Sequence, residues 1–139
     1  MKKVLYVLLP QFAEHELPYL TQPLRSDSFA MKEHPKYENK IVAESMEPIE
    51  AISGFRILPD YTFNNIPVDY AALVLIGGYS WNSEAAERVK PLVADAISKG
   101  RVVGAYALIG VSHHFSGNER LTVGKSLVML GDLKAFLLL

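Results

Sequence analysis

Three short, mostly apolar runs, each with β-branched members, constrain this chain more than any other feature: residues 4–9, 71–76 and 101–105. Each has the length and apolarity of a strand covered on both faces, as in a parallel sheet with helices on either side. Each is followed by a turn and then by helical sequence. After the first come Pro10, Gln11 and Phe12, and a helix is predicted from about His15 to Leu24. Pro18 fits only near its first turn, where the missing N–H does no harm. After the second run come Gly77-Gly78-Tyr79-Ser80-Trp81 and a helix over residues 83–99. Its end signals agree: Asn82 or Ser83 at the N-cap, Glu84 and Glu87 in the first turns, Lys99 late and Gly100 at the C-cap. Ala86, Val89, Val93 and Ile97 supply the apolar stripe, and Pro91 predicts a kink.

Strands alternating with helices predict a doubly wound, mostly parallel α/β sheet. Residues 25–40 are polar and read as a loop or an elaboration on the sheet, with a short strand over 40–43. Residues 49–57 and 61–63, punctuated by Gly54 and Pro59-Asp60, read as a hairpin-like excursion. Leu127, Leu130 and Leu133 give residues 126–139 a helical stripe, expected to cover apolar surface within the chain or in a homodimer. No repeat or linker divides the 139 residues, a length that suits one domain.

Composition then removes whole classes of function. Half the residues are apolar and the net charge is −1, which excludes a disordered chain. The balance of 14 basic to 15 acidic residues gives no pull toward nucleic acid or an anionic membrane. The opening MKKVLYVLLP is too short in its apolar run for a secretory signal and lacks a cleavage site. The apolar tail is far below the roughly 20 residues a bilayer needs, so a soluble, cytoplasmic protein is expected. There is no cysteine, which removes disulfides, thiolate zinc sites and thiol nucleophiles together. His113 and His114 are adjacent and point apart, and His15 and His34 lie far off in sequence, so no metal site is expected. G-x-G-x-x-G is absent, and no cofactor is expected.

In sheets of this type ligands sit beyond the carboxyl ends of the strands, which singles out residues 10–16, 77–81 and 106–114. These segments resemble those of ThiJ/PfpI proteins, in the class I glutamine amidotransferase-like superfamily. KVLYVLLPQFAEHELPYL is similar to that family's first strand and P-x-F-x-x-x-E segment. SGFRILPDYTF resembles its G-x-x-x-x-P-D segment, and YAALVLIGGYSWNSE its strand and Gly-Gly-x-x-Trp turn. GRVVGAYAL falls where the family places its nucleophile strand and elbow. The likeness spans about residues 3–105 and degrades after that. ERLTVGKSLVML only faintly resembles the family's H-T-x-N-S-L segment, with Leu121 where its histidine stands.

The resemblance implies a flavodoxin-like sandwich, shortened at the C-terminus, with Glu16 facing the active site. It places Ala107 at the cysteine nucleophile position and assigns the oxyanion-hole N–H groups to Gly78 and Leu108. The parent chemistry it implies is cysteine-dependent amidase, protease or glyoxalase-like attack on a small carbonyl or amide. A chain without a thiol cannot run that mechanism as written. The residues themselves leave blander readings open. Glu16 would also suit a solvated helix N-terminus, a role that Glu14 fits better. Gly77-Gly78 would also suit a tight turn needing positive φ. Trp81 either walls a pocket or packs on the following helix, and Tyr106 fills space at the elbow. Gly110-Val111-Ser112-His113-His114 is a near miss for a serine elbow, with His114 where the last glycine belongs. Three histories fit: a family member impaired by its missing nucleophile, a non-catalytic small-molecule-binding or dimeric interaction module, or a frameshifted or truncated product.

Overall fold

The computed structural model describes residues 1–26, 37–105 and 127–129. Its strands are β1 (Lys2–Val7), β2 (Tyr37–Ala43), β3 (Ile49–Glu50), β4 (Arg56–Ile57), β5 (Tyr61–Thr62), β6 (Tyr70–Leu75), β7 (Val102–Ala105) and β8 (Leu127–Met129). Its helices are α1 (Pro18–Arg25) and α2 (Glu84–Ser98), with a 3-10 turn over Glu14–Glu16. Six strands form one sheet in the order β5-β2-β1-β6-β7-β8. Every neighbouring pair in it is parallel.

The unbroken apolarity of residues 4–9 follows from the central place of β1. Leu5, Val7 and Leu9 face a core shared with Val89, Leu92, Val93 and Ala96 of α2. Val4, Tyr6 and Leu8 face the opposite core, shared with Leu20 and Leu24 of α1. Helices therefore cover both faces, the doubly wound arrangement.

The predicted first helix is split. Leu17 N–H bonds to Glu14 O at 3.2 Å, the tight spacing of a 3-10 turn. The next residue, Pro18, has no N–H to continue the ladder, so α1 starts afresh with proline in its first turn. The second helix forms where its signals place it and runs on through Pro91. Ser83 is its N-cap, but the Ser83 hydroxyl donates to Ser80 O rather than capping an N–H of the helix. At the other end Gly100 turns left-handed at φ +68°, and Arg101 N–H reaches back to Ala96 O at 2.9 Å. That six-to-one bond is the Schellman closure that glycine favours.

Three expectations are corrected. β2 begins at Tyr37, inside the stretch read as a loop. Its polar residues conceal it: Asn39 accepts from the Tyr6 hydroxyl at 2.8 Å and donates to Thr21 O at 2.8 Å, so they sit satisfied within the fold. β5 belongs to the main sheet and not to a hairpin, because Asp60 docks it on β2 through Asp60 N–H to Ile41 O and Ile41 N–H to Asp60 Oδ2. Only β3 and β4 form the expected hairpin, around Gly54 at φ +89°. Finally, Leu127–Met129 is a strand and not part of a helix, since its backbone completes the free edge of β7. The remainder of that predicted helix lies outside the described residues, in which no helix is long and apolar enough to cross a membrane.

Asn39→Ala should remove the bonds to the Tyr6 hydroxyl and the Thr21 carbonyl, lowering unfolding free energy by about 1–3 kcal/mol in urea titration.

Candidate functional site

The site is built where the chain leaves β1 and β6. Beyond β1, Gln11 adopts φ +60°, the only non-glycine residue with positive φ among those described. Its carbonyl accepts from Tyr79 N–H at 3.2 Å, and Ala13 N–H donates to Gly77 O at 2.8 Å. These two bonds frame an antiparallel bridge between Phe12 and Gly78. On the other side, Gln11 N–H donates to Glu50 O at 2.7 Å and Ile52 N–H to Phe12 O at 3.0 Å. The exit from β1 is thus held between the turn after β6 and the β3–β4 hairpin.

Gly78 makes this crossing possible. A Cβ there would lie 2.6 Å from Gln11 O and 2.8 Å from Phe12 Cα, closer than atoms can sit. The expected turn with positive φ is not the reason, because neither Gly77 nor Gly78 has positive φ. Within the bridge, Phe12 and Gly78 form the non-hydrogen-bonded pair, so the Gly78 N–H points away from Phe12. No backbone bond among the described residues uses it.

Glu16 comes from the 3-10 turn and is 1% exposed, so the solvated-helix reading fails for it. Its Oε2 accepts from Gly77 N–H at 2.7 Å, and its Oε1 is buried with no partner among the described residues. Burial pushes its carboxyl above the ordinary value, against the opposing pulls of the Gly77 N–H and His15. Glu14 behaves as the ordinary carboxylate: the Ser53 side chain holds its carboxyl below the usual value, and Ser53 N–H, which donates to its Oε1 at 3.2 Å, adds to the effect.

Trp81 is 3% exposed, packs with Ala85, Ala86 and Val89, and donates its Nε1–H to Ile76 O at 2.9 Å. The structure therefore brings Glu16, Gly77 and Gly78 together and places Trp81 in the core behind them. Tyr106, Ala107, Leu108, residues 110–114 and Leu121 lie outside the described residues. Among those described, no three His, Asp or Glu side chains gather as a metal site would require. A buried carboxyl beside backbone donors can hold or surrender a proton to a bound molecule. Gln11 was not singled out from sequence. Its role is conformational, and only a Gly or Asn there would have signalled positive φ.

The family profile described as the DJ-1/PfpI family matches residues 2–126. The chain belongs to the DJ-1/PfpI family. A curated relative, the uncharacterized protease YdeA of Bacillus subtilis, is 32% identical over 85 residues, covering 60% of this chain and 39% of the relative. A DJ-1 superfamily protein of Agrobacterium tumefaciens superimposes with a TM-score of 0.60 at 25% identity, over 76% of this chain and 53% of that one. A ThiJ/PfpI family protein of Bacillus anthracis does so with a TM-score of 0.66 at 24% identity, over 76% and 50%. The chain thus spans about two fifths of the curated relative and about half of each of these structures. Their shared fold is the flavodoxin-like one seen here.

Two outcomes test this DJ-1/PfpI site. Gly78→Ala should cost about 3 kcal/mol in urea unfolding, since both obstructing atoms are backbone. For Glu16 the folded state holds the proton more tightly than the unfolded chain. Its contribution is therefore flat below pH 4.5, and stability falls as pH rises from there through the raised folded value. Glu16→Gln should abolish that fall, so its stability relative to wild type should increase in thermal melts as pH rises above 4.5 through that raised value.

Proposed function

We propose that this DJ-1/PfpI domain binds a small carbonyl or amide compound between the Glu16 carboxyl and the Gly78 N–H, without the thiol step the family resemblance implies. One observation carries the reading. Glu16 Oε1 is buried and unpartnered among the described residues, a state that costs roughly 1–3 kcal/mol unless something bonds to it. Protonated, that oxygen donates to a carbonyl; ionised, it accepts from an amide N–H. The Gly78 N–H, unused by the turn, supplies a donor for the ligand oxygen. The chain has no cysteine, and by its alignment with the family's elbow the nucleophile position is Ala107, so catalysis of the parental kind is impaired. We read the protein as cytoplasmic.

The test uses the purified chain and a panel of small aldehydes and primary amides. Saturable shifts of the Gly77 and Gly78 amide resonances are expected, with no turnover. Glu16→Ala should weaken the binding about tenfold. Turnover that survives thiol-blocking reagents would overturn the impaired reading, and a panel without any shift would overturn the ligand reading.

A second reading, self-association, is favoured by the hairpin region, where Phe55 is 75% and Leu58 70% exposed. A homodimer that Phe55→Glu dissociates in sedimentation velocity would support it; a monomeric wild type would refute it.

A further inference from the structure

We infer that Gln11 is a positioning residue whose left-handed backbone, not its side chain, sets the meeting of Glu16 with the Gly77 N–H. The inference rests on reading Glu16 and Gly78 as one site. A left-handed backbone is unfavourable for a residue with a Cβ, and it persists only where the surroundings hold it. Here they hold it from three sides. Gln11 N–H is bonded to Glu50 O and Gln11 O to Tyr79 N–H. The carbonyl of the preceding Pro10 accepts from the Ser80 hydroxyl at 2.5 Å. The Gln11 side chain is exposed.

The left-handed turn does something specific. It swings Gln11 O into the space a Gly78 Cβ would need, and so lets Phe12 lie against Gly78. Ala13 then bonds to Gly77 O, and three residues later the 3-10 turn delivers Glu16 to the Gly77 N–H. Both partners of the Glu16–Gly77 bond are thus referenced to one backbone angle. An extended conformation at residue 11 would send the chain past Gly78 and leave Glu16 without its donor.

Amide hydrogen exchange followed by NMR tests this without any ligand. Glycine and asparagine tolerate the left-handed region, whereas a β-branched residue does not. Gln11→Gly and Gln11→Asn should keep the exchange protection of the Gly77 amide at or above the wild-type level. Gln11→Val should lower protection at Gly77 and Ala13 about tenfold while Val93 in α2 changes less. Loss of Gly77 protection in Gln11→Gly would overturn the inference, because it would assign the role to the side chain. So would full protection in Gln11→Val, or an equal fall at Gly77 and Val93. If Gln11→Val does not fold, the glycine and asparagine variants decide alone. Failure of the aldehyde and amide panel to bind would defeat the ligand reading and leave this result standing.

Discussion

The crossing of two backbone segments, Gln11–Phe12 over Gly78, is the contact on which the site depends. Main chain packs there against main chain at a distance no Cβ permits. A glycine on one strand exit and a left-handed residue on the other satisfy a single steric demand from its two sides. Because the segment between them also bonds to the hairpin, three sequence-distant pieces share one fixed point. Glu14 strengthens the same junction by accepting from Ser53 N–H in the hairpin. Rigid backbone of this kind is what an acid and a backbone donor need if their spacing is to survive thermal motion.

The rest of the fold supplies that fixed point with a foundation. β1 is sandwiched between two cores, and its residues 4–7 are fully buried. The exits of β1 and β6 lie side by side because those strands are neighbours in register, with Val7 opposite Leu75. Trp81 anchors the turn after β6 by bonding to Ile76 O and filling the core with its ring. The site therefore inherits its order from packing and not from its own few polar contacts.

How much of this the sequence revealed depended on where the stabilising partners lie. β1, β6 and β7 announced themselves because residues covered on both faces must be apolar in succession. α2 was legible from both ends, its Gly100 included. β2 was half concealed because its polar Asn39 is satisfied by Tyr6 and Thr21 rather than by water. β5 and β8 are short, and their pairing with β2 and β7 leaves no local periodic signal. Glu16 emerged only from the family likeness, since a lone glutamate near a helix start is ordinarily solvated. The glycine pair was visible, but its reason was not: the demand is close approach from Phe12, 66 residues away by number.

The parallel order of the sheet also sets a timetable for synthesis. β1 needs β2 on one side and β6 on the other, and Lys3–Tyr70 to Val7–Leu75 is the second of those seams. Translation at about 5–20 residues per second separates β1 from β6 by roughly 3–13 seconds. Through that interval the segment KVLYVLL lacks its β6 neighbour, and the face that α2 later covers is bare. It is short, β-prone and free of acidic residues, the kind of strand that seeks another chain when its own partner is late. The strand at the centre of the finished sheet is thus a liability in the nascent chain until β2 closes one of its edges and β6 the other.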